Sequence, residues 1–225
     1  MTPGSETNTS MRVWDLPTRL FHWLLAVLIL LLYATGEFGM LDMRWHFWLG
    51  YATLALILFR VLWGLFGSQT SRFADFIRGP IAVGRYVKTQ ISTNAHFSVG
   101  HNPLGGWSVL ALLLSVLLQS VTGLFASDGI DTDGPLAGQV SGYTVKLMTR
   151  LHHWNQNVLL LLIALHIAAV LFYLLVKHDN LIVPMLTGRK QTTPTDSLRF
   201  ASPWLALALL LLSVSAVAAM IWYAG

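Results

Sequence analysis

Two histidines in one apolar segment could bind transition metals at two depths of a single helix. His152 and His166 lie fourteen residues apart in the stretch LHHWNQNVLLLLIALHIAAVLFY. At about 100° and 1.5 Å per residue, a helix places their side chains within roughly 40° of one face and roughly 21 Å apart along its axis. His153 points about 140° away from His166 on the same helical wheel. The geometry therefore favours His152 over His153 as the histidine that shares a face with His166.

The composition is that of an integral membrane protein. The 225 residues are 55% hydrophobic and only 11% charged, and the mean hydropathy is +0.61. Soluble domains of this size are usually less apolar. The absence of cysteine excludes disulfides, thiolate-bound iron–sulfur clusters, thioether-linked haem and cysteine zinc sites. The net charge of +4 is spread among loops, so we expect lipid contact and no nucleic-acid binding.

Five apolar runs are long enough to cross a bilayer, whose hydrocarbon core is about 30 Å thick. The first run follows Asp15 and ends without a small-residue cleavage pattern, so we expect an uncleaved anchor and not a signal peptide. Five crossings place the two termini on opposite sides of the membrane. The predicted spans are residues 17–36, 45–66, 106–126, 151–176 and 203–223.

The charges of the loops predict the orientation. Basic residues concentrate on the side that holds the N-terminal tail and the second and fourth loops, so the positive-inside rule places the N-terminus in the cytoplasm and the C-terminus in the periplasm. Apolar residues are interleaved with the basic ones in the second loop, which fits either a short interfacial helix limited by Gly79–Pro80 or a plain loop. The basic side carries Arg12, Arg19, Arg72, Arg78, Arg85, Lys88, Lys177, Arg189, Lys190 and Arg199, and the other side only Arg44, Lys146 and Arg150.

This topology sorts four histidines into two pairs. His22 and His166 lie near the cytoplasmic face, and His46 and His152 lie near the outer face. Two imidazoles that face each other suit a low-spin haem iron, which favours electron transfer because no coordination site stays open for substrate. One such histidine alone could equally be a hydrogen-bonded interior residue, but four at matched depths favour metal ligation. The others lie in loops or at a span end, where solvated or structural roles are expected: His96, His101, His153 and His178.

Arg60 follows His46 by fourteen residues, the same step that separates His152 from His166. It should therefore share the face of His46 and reach the depth of the inner pair. A buried guanidinium there could bind a haem propionate or a quinone oxygen. The alternative is a side chain that snorkels to the cytoplasmic headgroups, since Arg60 lies only a turn or two from the end of its span.

Four segments carry a resemblance to a known family: VWDLPTRLFHW at the first span, HFWLGYATLALILFRVLWGLFG at the second, GHNPLGG before the third and LHHWNQNVLLLLIALHIAAVLFY at the fourth. They resemble the bacterial di-haem cytochrome b561 and nickel-iron hydrogenase cytochrome b subunit family. The likeness covers about residues 11–188. It implies an all-α membrane protein, a four-helix transmembrane bundle that binds two haems, with a C-terminal fifth transmembrane helix added to it.

The resemblance also implies the organisation of the chain and the roles of its residues. The polar, Ser- and Thr-rich composition of the first residues itself predicts a disordered tail over residues 1–13. Residues 14–188 would be the di-haem membrane domain, and residues 189–225 a linker and the fifth helix. The two b-type haems would be bound non-covalently, each by two histidines. The family's axial ligands match His22, His46, His152 and His166, and Arg60 matches an arginine at that place in the second helix.

Two functions fit this reading. The first is a respiratory-chain subunit of the bacterial inner membrane that transfers electrons between the quinone pool and a periplasmic partner, such as a c-type cytochrome or a dehydrogenase. The alternative is a stand-alone superoxide:quinone oxidoreductase, an activity found among similar proteins. The acidic outer loops suit a basic partner better than a small anion, although their aspartates could equally be turn formers. A membrane protein without haem would leave the paired histidines without a role.

Overall fold

Helices dominate the structure, a computed structural model that describes residues 9–91, 100–192 and 197–224. Five of the helices are long and apolar enough to cross a membrane, which confirms the predicted all-α membrane fold. The spanning helices are the first, second, fifth, sixth and eighth in the chain. In chain order the helices are α1 (Leu16–Glu37), α2 (Met43–Phe66), α3 (Phe73–Phe76), α4 (Pro80–Ile91), α5 (Pro103–Gly123), α6 (Gly142–Leu175), α7 (Ile182–Thr187) and α8 (Pro203–Ala224).

Polar capping residues fix where four of the spanning helices begin, and at α2 the side chain of Asp42 accepts a hydrogen bond from the backbone N–H of Arg44. The side chain of Asp15 accepts a hydrogen bond from the backbone N–H of Thr18 at the start of α1. Asn102 and Ser141 cap α5 and α6 in the same way. The cap at Ser141 starts α6 nine residues before the predicted span, because its first turns are polar and hydropathy does not detect them. The apolar part of α6 still coincides with the predicted fourth span.

α2 is the central helix of the bundle. It packs against α1, α5 and α8, while α6 is joined to the bundle chiefly by its contacts with α5. Ile57 and Trp63 of α2 are completely buried. α8 places Ala206 and Val217 in the two clusters of buried apolar side chains. The fifth spanning helix is therefore an integral part of the packed bundle.

A two-stranded antiparallel ribbon joins the N-terminal segment to the linker before α8. Strand β1 (Thr9–Arg12) pairs with β2 (Arg189–Thr192), with Met11 opposite Lys190. Residues 1–8 of the predicted disordered tail lie outside the described residues, but the prediction is wrong for Thr9–Arg12. The partner strand is far away in the chain, so no local pattern could reveal the pairing.

The second loop forms two short helices, α3 and α4, on either side of Gly79. The hydroxyl groups of Tyr86 in α4 and Tyr173 in α6 lie 2.7 Å apart and share a hydrogen bond. Of the two readings of this loop, the structure supports the helical one. Burial and the hydrogen bond to Tyr173 raise the pKa of Tyr86, so the hydroxyl stays protonated.

The two ends of the bundle differ in charge. We call the end that carries α3, α4, α7 and the ribbon the basic end. The opposite end, with the loops that follow α1 and α5, is called the acidic end, since it carries Glu37, Asp42, Asp128, Asp131 and Asp133. α1 begins at the basic end, and α2 and α6 begin at the acidic end.

Candidate functional site

The structure brings the four predicted histidines together as two pairs. The ring centroids of His22 in α1 and His166 in α6 lie 6.3 Å apart, and those of His46 in α2 and His152 in α6 lie 6.4 Å apart. Two metal–nitrogen bonds of about 2 Å, plus the radii of the two rings, require centroids about 6 Å apart. Each pair therefore has the spacing that two axial ligands of one metal ion need.

The hydrogen bonds at the acidic end determine which ring nitrogen is free. Nδ1 of His152 lies 3.0 Å from the carbonyl oxygen of Gln119. Because a carbonyl oxygen only accepts, Nδ1 must carry the proton, and Nε2 keeps the lone pair that a metal requires. Nδ1 of His46 likewise lies 3.0 Å from the hydroxyl oxygen of Thr35.

The pair at the basic end has a different environment. Nδ1 of His22 is buried and has no hydrogen-bond partner within the described ranges. The ring packs edge-on against that of Trp23, with centroids 4.9 Å apart. A buried nitrogen without a partner costs about 1–3 kcal/mol, so Nδ1 of His22 remains open to a further hydrogen-bond partner.

Arg60 is buried beside the basic-end pair and does not snorkel. Only 2% of its surface is exposed. Its guanidinium carbon lies 5.1 Å from the centre of the Phe73 ring and 5.9 Å from that of Phe21, the neighbour of His22 in the chain. Nη1 of Arg60 has no hydrogen-bond partner in the described part of the chain. A buried, partly unpaired cation of this kind is suited to bind an anionic or carbonyl oxygen.

His101, for which the sequence predicts a solvated or structural role, is partly buried at the basic end, and its Nδ1 atom is fully buried. Its ring lies between those of Trp14 and Phe76, at centroid distances of 4.8 and 4.6 Å. Burial, helped by the nearby charges of Arg60 and His166, lowers the pKa of His101 to about 3, so its ring is neutral. The signals in the sequence are its position directly before the capping residue of α5 and its place in the GHNPLGG segment that carries the family resemblance.

The remaining histidines lie away from the two pairs. His153 is exposed, and its Nδ1 lies 2.9 Å from the backbone oxygen of Thr149 in the same helix. The structure thus places His152, and not His153, opposite His46. His178 is exposed, and His96 lies outside the described residues.

The donor set at each pair fits a haem better than a bare metal ion. Among the described residues, no group of three or more His, Asp or Glu side chains could hold a metal ion by itself. Each pair supplies two nitrogens, so a metal held there needs its other ligands from elsewhere, as a porphyrin provides. Nη1 of Arg60, which has no hydrogen-bond partner among the described residues, could donate to a propionate. The residues present therefore fit b-type haem.

Comparison with known proteins now assigns the family. The sequence model of prokaryotic cytochrome b561 matches residues 13–188, a range that contains both histidine pairs and Arg60. The chain belongs to the prokaryotic cytochrome b561 family. Membership makes it a multi-pass bacterial membrane protein and a b-type cytochrome that works in electron transfer. The resemblance seen in the sequence is thereby confirmed.

One relative of this cytochrome b561 is a "Probable Ni/Fe-hydrogenase B-type cytochrome subunit" of Rhizobium leguminosarum bv. viciae. The two chains are 25% identical over 214 residues, which cover 80% of this chain and 89% of the relative. No solved structure matches the chain.

Proposed function

We propose that the protein holds two b-type haems, one at each end of the bundle, and transfers electrons across the membrane between the quinone pool and a periplasmic redox partner. His22 and His166 would hold the basic-end haem, and His46 and His152 the acidic-end haem. The observation that supports this proposal most strongly is the presence of two imidazole pairs with ring centroids 6.3 and 6.4 Å apart. When bound, the haems would supply reversible one-electron chemistry without an open coordination site.

A polar contact between α5 and α6 orients both α6 histidines. The buried amide of Asn155 donates to the backbone oxygen of Ser115 at 2.9 Å and to Oε1 of Gln119 at 2.7 Å. The hydroxyl of Ser115 donates to Oδ1 of Asn155 at 3.1 Å. Because Asn155 lies between His152 and His166 in the helix, this contact fixes the rotation of α6 at both levels. One helix can then present a nitrogen donor at each depth.

The quinone is proposed to bind at the basic end, near Arg60. The guanidinium is buried, and its Nη1, which has no hydrogen-bond partner in residues 9–91, 100–192 and 197–224, could donate to a quinone oxygen. An open cavity of about 210 Å³ at this end is lined by Phe76 and His101. The ring of Phe76 contacts those of His101 and Phe73, and the guanidinium of Arg60 lies over Phe73. A ring-shaped ligand would therefore meet apolar and hydrogen-bonding groups there.

The orientation follows from the positive-inside rule, which places the basic end and the N-terminus in the cytoplasm and the acidic end and the C-terminus in the periplasm. The acidic end is then the surface available to a periplasmic partner. Backbone N–H groups, with Ile130 and Thr132 foremost, lower the pKa of Asp128 to about 2, so its carboxylate stays ionised. A basic surface on the partner would complement it. The hydrogenase subunit among the relatives is consistent with a redox enzyme as this partner.

The alternative function, superoxide:quinone oxidoreductase, has weaker support. An open cavity of about 630 Å³ at the acidic end is lined by Lys146 and Arg150, but also by Asp128 and Asp133. Mixed charges of this kind do not form the positive funnel that would concentrate a small anion. Superoxide-dependent quinone reduction by the isolated protein would favour this alternative, and its absence would favour the electron-transfer subunit.

The quinone link can be tested directly on the purified, oxidised protein. Quinol is added, and the α-band of b-type haem is followed by stopped-flow absorbance. We expect reduction that depends on the quinol concentration. An intact haem spectrum that quinol does not change would contradict exchange with the quinone pool.

A further inference from the structure

The ends of α1 and α5 carry the same dipeptide at the acidic end, Thr35-Gly36 and Thr122-Gly123. The two threonines are only 2% and 1% exposed. Their hydroxyl groups donate to backbone oxygens four residues earlier, to Leu31 at 2.9 Å and to Leu118 at 2.7 Å. Each hydroxyl oxygen is therefore held in a fixed position and can still accept a hydrogen bond.

Each threonine hydroxyl lies next to one of the acidic-end imidazoles. Oγ1 of Thr35 lies 3.0 Å from Nδ1 of His46, and Oγ1 of Thr122 lies 3.3 Å from Nδ1 of His152. The backbone oxygen three residues before each threonine is a second acceptor for the same nitrogen. It belongs to Leu32 for His46 and to Gln119 for His152.

The glycine of each dipeptide makes room for the same ring. A Cβ atom at Gly36 would lie 2.9 Å from Cε1 of His46, and a Cβ atom at Gly123 would lie 2.9 Å from Cε1 of His152. Carbon atoms do not approach this closely, so any other residue would displace the imidazole. Two helices thus present one arrangement of hydroxyl, carbonyl and open backbone to two different histidines.

We propose that these two Thr-Gly steps are matched imidazole cradles that set the protonated nitrogen and the rotation of His46 and His152, and thereby lower the reduction potential of the acidic-end haem. This inference rests on the proposed ligand role of the two histidines. A hydrogen bond donated by the Nδ1–H group raises the basicity of Nε2, and a more basic axial ligand stabilises ferric iron. Thr35, Gly36, Thr122 and Gly123 are positioning residues, since they act through the imidazoles.

The hydroxyl part of the cradle is tested by potentiometric titration of Thr35→Val and Thr122→Val. We expect the potential of one haem to shift upward while that of the other stays unchanged. The shift should be larger for Thr35→Val, because His152 keeps its closer acceptor, the Gln119 carbonyl at 3.0 Å. Thr35→Ser keeps a hydroxyl and should restore the potential. The matched control is Ser213→Ala, which removes a buried hydroxyl that donates to the backbone oxygen of Leu209 within α8.

The glycine part is tested by electron paramagnetic resonance of Gly36→Ala and Gly123→Ala. We expect altered g-values, or loss, of one haem signal in each variant, and no change in the control Gly142→Ala, where a Cβ atom has open space. Spectra and potentials equal to those of the controls in Thr35→Val and Gly36→Ala, with two haems bound, would overturn the inference. If Gly36→Ala does not fold, the comparison of Thr35→Val with Thr35→Ser decides. Retention of both haems in His46→Ala would instead overturn the proposed ligands.

Discussion

His22 and His166 lie with their ring centroids 6.3 Å apart, although one belongs to the first spanning helix and the other to the fourth. The same helix α6 also supplies His152 to the second pair, roughly 21 Å further along its axis. Both sites therefore depend on the rotation of a single helix, but each has its own partner helix. Separate partners mean that one site can be removed without the other.

The first prediction concerns His166. His166→Ala should halve the haem content, from two haems per chain to one, because His152 is held by its own contacts with Gln119 and Thr122 of α5. The haem is measured as the pyridine haemochrome against protein concentration. His178→Ala, an exposed histidine beyond the end of α6, is the control and should keep both haems. Two haems in His166→Ala would contradict the pairing.

The second prediction separates the two adjacent histidines of α6. His153→Ala should retain both haems, because the His153 ring is exposed and bonds within its own helix. His152→Ala should lose one haem under the same conditions. If His153→Ala were the variant that lost a haem, the assignment of His152 would be wrong.

The third prediction concerns quinone binding at Arg60. Arg60→Leu should keep both haems and weaken quinone binding about tenfold or more, as expected for the loss of a charge-assisted hydrogen bond. The rate of haem reduction as a function of quinol concentration measures this effect. Arg85→Leu, which changes an exposed arginine of α4 at the same end, serves as the control. Unaltered quinone kinetics in Arg60→Leu would count against the site.

The fourth prediction concerns the packing of Gly64 against Phe73, the aromatic ring that contacts Arg60. A Cβ atom at Gly64 would overlap the ring of Phe73, over which Arg60 lies. Gly64→Ala must therefore displace the ring, at a cost of about 1–3 kcal/mol in the free energy of unfolding. Thermal unfolding in detergent measures the loss of stability. An unfolding midpoint equal to that of Gly142→Ala would show that Phe73 can move freely.

The fifth prediction orders the two haem potentials. The buried cation Arg60 should raise the potential of the basic-end haem, while the carboxylates of the acidic end and the Nδ1 hydrogen bonds should lower that of the other. His166→Ala identifies the haems, since it should keep the acidic-end haem alone. Potentiometric titration of His166→Ala should then give a single reduction potential, equal to the lower of the two wild-type potentials. If the remaining haem had the higher value, the order would be reversed.

Periodicity and hydropathy were sufficient to predict the features that depend on one helix at a time. The helical step distinguished His152 from His153 and placed Arg60 on the buried face of α2. The five spans were predicted to within a few residues, apart from the polar first turns of α6. These features follow from the rise and turn of a helix and from the apolar thickness of a bilayer.

Features that depend on contacts between distant segments could not be predicted in this way. The ring of His101 is partly buried because Trp14 and Phe76 pack against it from two other parts of the chain. The pairing of β1 with β2 joins the two ends of the family-matched region. The repeated Thr-Gly step was visible in the sequence, but its meaning appears only when the imidazoles of His46 and His152 are placed against it.

The haem content of the purified protein tests the central claim most directly. Two imidazole pairs, each spaced for one iron, predict two b-type haems per chain in a fully loaded sample. One haem per chain, or none, would contradict the account.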